Sequence, residues 1–274
     1  MHANLYALGA IALWATLASL GLALKHLPPF LLTGIALVIG SIPAWPLFRQ
    51  WKVPASTLAV GIYGLFGFHF LLFIALRHAP AVEANLVNYL WPLFIVVLAP
   101  VFLPGLKLRT AHVIAAAVGF AGAAIAILGA GAGTTGGWSW GYVPALGSAF
   151  IWASYSLMTR RIAAFPTAAI GLFGLMSGLL SLACHWVLEP AAAISGDDWL
   201  LLAVMGLGPL GAAFFLWDRA LKLGDARHIG ILSYLTPLAS TALLMTVTGR
   251  PLSWSITLAA VLIIGAAVMG TRAR

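Results

Sequence analysis

Hydrophobic and polar positions alternate along this chain on a coarse scale: long apolar runs, each closed by a few polar, proline or glycine residues. Ten runs can be drawn, at about 4–24, 30–48, 57–76, 82–103, 110–129, 141–159, 167–187, 199–217, 228–248 and 253–271. Each is close to the roughly 20 helical residues that cross a hydrocarbon core. Connections such as Leu27-Pro28-Pro29, Leu103-Pro104-Gly105 and Gly249-Arg250-Pro251 read as tight turns between neighbouring helices. The pattern predicts an all-α, polytopic membrane protein of ten transmembrane helices. The first run has the length of a signal peptide, but no Lys or Arg precedes it and its pattern returns inside the chain, so it counts as the first helix.

That return is an internal repeat. Pro80 to Leu93 reads PAVEANLVNYLWPL and Asp225 to Leu238 reads DARHIGILSYLTPL, which aligns Tyr89 with Tyr234, Leu90 with Leu235, Pro92 with Pro237 and Leu93 with Leu238. Ala75-Leu76-Arg77 falls on Ala220-Leu221-Lys222 at the same offset. Earlier, Ala7-Leu8-Gly9 and Trp14-Ala15 fall on Ala145-Leu146-Gly147 and Trp152-Ala153. Each half holds five runs, an odd number, so the second copy enters the membrane from the opposite side. The expected organisation is two inverted five-helix repeats, residues 1–130 and 138–274, with the glycine-rich stretch 129–137 as linker. Inverted repeats are the plan of many secondary transporters, whose site lies at mid-membrane between the halves.

Composition agrees with lipid as the solvent. The chain is 62% hydrophobic and 7% charged, where a typical soluble domain has about a quarter of its residues charged. The net charge of +8 does not form a basic groove, because the 14 Lys and Arg residues stand singly or in pairs between apolar runs, and nucleic acid is not an expected partner. With the N-terminus inside, Arg49, Lys52, Lys107, Arg109, Arg160, Arg161, Arg219, Lys222, Arg227, Arg272 and Arg274 are cytoplasmic, leaving only Lys25, Arg77 and Arg250 outside. The positive-inside rule thus places both termini in the cytoplasm. The lone Cys184 forms no intrachain disulfide.

Candidate chemistry follows from polar residues that lipid would penalise. In the fourth run Asn85, Asn88, Tyr89 and Pro92 share a helical stripe, with Trp91 at its edge; in the ninth the stripe is Gly230, Ser233, Tyr234, Pro237 and Ser240. Helix–helix packing is the competing reading, yet a proline in each copy also frees a main-chain carbonyl within the membrane, marking Pro92 and Pro237 as hinges. The sixth run presents Ser148, Trp152, Tyr155, Ser156 and Thr159 on one face, and the first presents Trp14 among small residues. Trp45, Trp51, Trp138 and Trp140 fit an interfacial belt; Trp14 and Trp152, near mid-run, do not. His69 is the most interior ionisable group, able to serve as ligand donor, proton carrier or neutral packing residue. Glu83 reads as a helix-start carboxylate and Asp218 as half of a surface ion pair with Lys222. The expected substrate-binding set is Trp14, His69, Asn85, Asn88, Tyr89, Trp91, Trp152, Tyr155, Ser233 and Tyr234.

With its two five-helix halves, Ala-Leu-Trp-Ala at Ala12 to Ala15 echoed by Phe-Ile-Trp-Ala at Phe150 to Ala153, and leucine-proline fourth and ninth runs, the chain resembles the drug/metabolite transporter superfamily with duplicated EamA domains. Its Asn-Tyr-Leu-Trp-Pro run at Asn88 to Pro92 is most similar to the aromatic amino-acid exporters. Ala15 and Ala153 depart from the family, which often has glycine after the tryptophan. The resemblance implies outward movement of aromatic and other apolar amino acids, or related metabolites, across a bacterial inner membrane, with Tyr89, Trp91 and Trp152 at the cavity. Within the fold, a broad exporter of drugs or metabolites is the alternative. No lysine follows a glycine, so there is no phosphate-cradling loop of an ATP-driven pump. No His-x-x-x-His or Glu-x-x-His motif supports an intramembrane enzyme or a metal site, and no cofactor is expected. Nothing in the sequence indicates an oligomeric state.

Overall fold

The computed structural model describes residues 2–129, 137–247, 249 and 254–272, and among these every regular element is helical, with no strand. Each apolar run forms a helical segment: α1 (His2–Ala23), α2 (Pro29–Trp51), α3 (Ala55–His78), α4 (Ala81–Phe102), α5 (Thr110–Gly129), α6 (Tyr142–Met158), α7 (Ala169–Leu188), α8 (Gly196–Leu223), α9 (Ala226–Val247) and α10 (Trp254–Arg272). Eight are long and apolar enough to cross a membrane, and α10 contains a shorter apolar helix. Most of the expected linker, as well as Arg250, Pro251 and Arg274, lies outside the described residues.

Several segments are not continuous α-helix, and the interruptions recur. The main chain of α4 breaks at Tyr89 and Leu90, between Ala81–Asn88 and Trp91–Phe102; α9 breaks at Ser233 and Tyr234, between Ala226–Leu232 and Leu235–Val247. Pro92 and Pro237 each sit in the first turn after the break. A proline there costs least, since the first amides of a helix have no intrahelical partner. In α3 the turn Tyr63–Gly67 widens to a π-helix, and in α8 so does Gly208–Ala212. The two π turns stand at the offset that relates Tyr89 to Tyr234, so the repeat extends to backbone irregularities that composition alone does not announce.

Packing repeats in the same way. Segments α2 and α7 pack on each other, as do α5 and α10, and α4 and α9. The contact of α1 with α8 has its counterpart in α3 with α6, that of α4 with α6 in α1 with α9, and that of α2 with α8 in α3 with α7. Exchanging each segment for the one five places on therefore returns each of these pairs, whereas the packing of α5 on α9 has no counterpart of similar extent between α10 and α4. At the α2–α7 crossing, Gly34 and Gly178 bring main chains together: a methyl on Gly178 would lie 2.9 Å from the Gly34 carbonyl oxygen, and one on Gly34 3.1 Å from that of Gly178. Small residues of this kind let helices approach where no hydrophobic force from water drives them together.

Candidate functional site

Where α1, α3, α4, α6 and α8 converge they leave a cavity of about 430 Å³, with α2 and α9 closing its sides. That volume suits a small molecule, since such sites occupy roughly 300–1,000 Å³. The lining on α1 runs from Trp14 toward its C-terminal end, on α3 from Phe68 to Leu76, and on α4 from Asn85 to Trp91. The cavity thus extends from the middle of the bundle toward the ends joined by the 24–28 and 79–80 turns.

Its inner end is closed by indoles from four segments. Trp14 meets Trp152 at 5.8 Å and 78°, Trp91 lies 6.5 Å from Trp14 and 6.4 Å from Trp152, and Trp217 packs behind them 5.2 Å from Trp14 and 5.6 Å from Trp91. Most pairs are edge-to-face, the arrangement favoured by the ring quadrupole. Two of the rings also find hydrogen-bond acceptors: Trp217 Nε1–H donates to Ser156 Oγ at 3.1 Å, and Trp14 Nε1–H to the Pro209 carbonyl at 3.1 Å. Pro209 belongs to the π turn of α8. In α3 the equivalent turn is used alike, for the Leu65 carbonyl accepts from His69 Nδ1–H at 2.6 Å. Each π turn therefore satisfies a carbonyl with a ring N–H that belongs to the cavity wall.

The polar surface is uneven. Among the described residues the wall carries no Asp, Glu, Lys or Arg; its polar groups are Thr33, His69, Asn85, Asn88, Tyr89, Thr236 and Ser240 together with the indoles. Asn88 is fixed from outside the cavity by Ser148, whose Oγ lies 2.8 Å from Asn88 Oδ1. From α6 and α8, Trp152, Met205, Leu210 and Phe214 add an aromatic and aliphatic surface.

The EamA-like transporter family matches the chain twice, over residues 1–128 and 139–271. The chain belongs to this family. It is 41% identical to the aromatic amino acid exporter YddG of Ancylobacter novellus over 98% of this chain and 96% of that one, and 27% identical to the protein of that name from Escherichia coli over 97% and 96%. A solved crystal structure with 41% sequence identity superposes with a TM-score of 0.91 and covers 98% of this chain and 96% of its own. The protein is thus a multi-pass membrane protein of an EamA-like transporter family, embedded in lipid and built to handle a small molecule.

Of the residues singled out in the sequence, Trp14, His69, Asn85, Asn88, Tyr89, Trp91 and Trp152 lie on the wall of this EamA-like cavity. Tyr155, Ser233 and Tyr234 do not. The Tyr155 ring fills the notch at Gly64, where an added methyl would stand 2.2 Å from it, and the Tyr234 ring fills that at Gly119, 2.5 Å away. Ser233 turns its hydroxyl to the Gly230 carbonyl at 2.6 Å. After the break in α9 the Ser233 and Tyr234 side chains are taken up in packing, so of the α9 stripe only Ser240 reaches the cavity, joined by Thr236. Sequence reasoning missed Phe68, Phe214 and Trp217; the available signal was the repeat offset, which sets Phe214 in the position of His69.

Beyond the indoles, polar contacts seal the closed end. Asp218 is not on the surface as its sequence context suggests: it is buried, receiving Thr167 Oγ1–H at 2.6 Å and Lys222 Nζ at 2.7 Å, while Lys222 also reaches the Phe165 carbonyl at 2.8 Å and lies 4.0 Å from that ring's centre. Arg227 clamps Asp225 at 2.6 Å and donates to the Lys107 carbonyl at 2.6 Å. At the opposite end Glu189 accepts from the Phe30 and Leu31 amides at the start of α2 and pairs with Arg77 at 2.8 Å and His185 at 3.0 Å. Glu83 accepts from the Tyr142 hydroxyl, tying α4 to α6 away from the cavity.

Proposed function

We propose that the chain is a secondary transporter that moves aromatic and other apolar amino acids out of the cell across the bacterial inner membrane. The observation that carries this reading is the cavity itself: about 430 Å³, walled by Trp14, Trp91, Trp152 and Phe214, with neutral polar groups on α2, α3, α4 and α9 and, among the described residues, no Asp, Glu, Lys or Arg. Aromatic rings offer stacking and apolar surface to a like side chain, and amides and hydroxyls offer hydrogen bonds to a zwitterion. The name shared by its relatives supports the same substrate class. Among the described residues the wall carries no Lys or Arg to bind phosphate, which argues against phosphorylated cargo.

The mechanism in this reading is alternating access between two inverted repeats, residues 1–130 and 138–274. Both termini are cytoplasmic, because the basic loops then lie inside. The cavity accordingly faces outward here, with the indole cluster and the Asp218–Lys222 contacts as its cytoplasmic closure. Pro92 and Pro237, each following a mid-helix break, serve as hinges about which the half-helices of α4 and α9 tilt. The chain performs no chemistry on its cargo and needs no cofactor. The test is transport by purified protein in liposomes without ATP. Labelled phenylalanine should move down its gradient and be competed by tryptophan but not by a cationic dye. A dye moved as well as phenylalanine favours the broad exporter, and flux only with ATP ends the secondary-carrier reading.

A further inference from the structure

The two repeats contribute unequally to the cavity at one matched pair of positions. His69 in α3 and Phe214 in α8 occupy the same place in the repeat, both line the cavity, and their rings meet edge-to-face with centroids 6.4 Å apart at 77°. One half thus offers an imidazole where the other offers a hydrocarbon ring. His69 is 9% exposed, and its Nδ1 is 2.6 Å from the Leu65 carbonyl. A carbonyl only accepts, so Nδ1 carries the proton and the neutral ring keeps Nε2 as a bare acceptor. Nε2 has no partner among the described residues. Among the described residues no carboxylate lines the cavity to balance an imidazolium. The wall therefore holds the Nε2 acceptor on α3, the amides of Asn85 and Asn88 on α4, and an apolar surface that includes Phe214 and Trp152.

From this asymmetry we infer that His69 recognises the α-ammonium group of the substrate through Nε2, so that the amino acid binds in one orientation. Its charged head lies against the α3–α4 side, with the carboxylate at the Asn85 and Asn88 amides, and its side chain lies against Phe214, Trp152 and Trp91. An aromatic acid that lacks the amine fills the same apolar space but leaves Nε2 unpaired. Discrimination between the two then comes from His69 rather than from the indoles. The inference rests on the amino-acid reading above.

The experiment measures inhibition of labelled phenylalanine flux in proteoliposomes by unlabelled phenylalanine and by 3-phenylpropionate, which differs only in the missing ammonium. Wild-type protein should prefer phenylalanine by about ten-fold or more, the scale of one charge-assisted hydrogen bond. His69→Leu should collapse that ratio toward one by weakening phenylalanine selectively. His69→Gln, which keeps both a donor for Leu65 and an acceptor for the cavity, should retain a good part of it. Because the quantity is a ratio within one preparation, reduced folding of a variant does not alter it; should His69→Leu yield no protein, the His69→Gln ratio and the wild-type preference carry the test. A wild-type protein indifferent to the ammonium, a His69→Leu ratio equal to wild type, or a His69→Gln ratio as low as one overturns the inference while leaving amino-acid transport intact. If wild-type protein moves no phenylalanine at all, the functional reading fails first and the inference falls with it.

Discussion

Trp152 sits where packing and transport make separable demands, and Trp152→Ala is the most informative perturbation of this protein. The ring is 4% exposed and lies 5.3 Å from Phe68, 5.4 Å from Tyr155, 5.6 Å from Phe214 and 5.8 Å from Trp14. Truncating a buried aromatic costs about 3–5 kcal/mol where the neighbours do not collapse into the space. One wall of that space is already a cavity, so collapse is poorly supported and the upper part of the range applies. A substrate ring would in addition lose one aromatic partner, roughly 0.5–1.5 kcal/mol beyond area, which corresponds to about a 2- to 13-fold loss in affinity. The assay is phenylalanine flux in proteoliposomes, divided by the folded, monodisperse protein recovered, with thermal midpoints measured alongside. Trp152→Phe should keep part of the flux because a ring remains against Trp14 and Phe214. Trp45→Ala, at a position 46% exposed, should change neither quantity much. Normal flux per folded molecule in both Trp152→Ala and Trp91→Ala would refute the reasoning, for the cavity would then not be where aromatic substrate binds.

Lys222→Met leaves the Asp218 carboxylate buried with Thr167 as its remaining partner; a fully buried pair broken on one side costs ~3–5 kcal/mol, and the partial exposure of Lys222 (side chain 26%) lowers the expectation to about 2–3. The double variant Lys222→Met with Asp218→Asn should melt above the single one; equal midpoints would mean the pair is not coupled. Gly119→Ala drives a methyl to 2.5 Å from the Tyr234 ring and should cost about 1–3 kcal/mol, whereas Gly265→Ala, with nothing within 4 Å, should be neutral or mildly stabilising. A normal melting temperature for Gly119→Ala would refute the close fit of the Tyr234 ring. On a Cys184→Ser background, an impermeant thiol reagent applied outside intact cells should label a cysteine introduced at Gly137 or Ser195 but not one at Ala55. The opposite pattern removes the proposed orientation.

Much of the architecture was legible along the chain because lipid leaves the backbone few options. A segment in hydrocarbon must satisfy its own main-chain groups, so apolar run lengths translate almost directly into helices. The duplicated Tyr-Leu-x-Pro stretch likewise pointed to the paired breaks in α4 and α9, since a proline costs least in the first turn of a new half-helix. His69 and the Asn85–Trp91 stripe were legible for a related reason: a polar group at that depth must face protein or a cavity.

Which of the two it faces was decided by tertiary structure. Tyr89 and Tyr234 are equivalent in sequence, yet Tyr89 lines the cavity while Tyr234 is spent on the notch at Gly119. Trp91 and Thr236 share a position and both reach the cavity, one as an indole and one as a hydroxyl. The π turns at Tyr63–Gly67 and Gly208–Ala212 carry no pattern a period of 3.6 would detect, but each inserts extra main chain and turns the following half-helix. That turn brings His69 and Phe214 into edge-to-face contact and sets Trp217 behind Trp14. A run of apolar residues determines that a helix exists and roughly where it ends. The rotation of each half-helix about its axis depends on its neighbours, because in lipid nearly every face of an apolar helix is acceptable until close packing selects one.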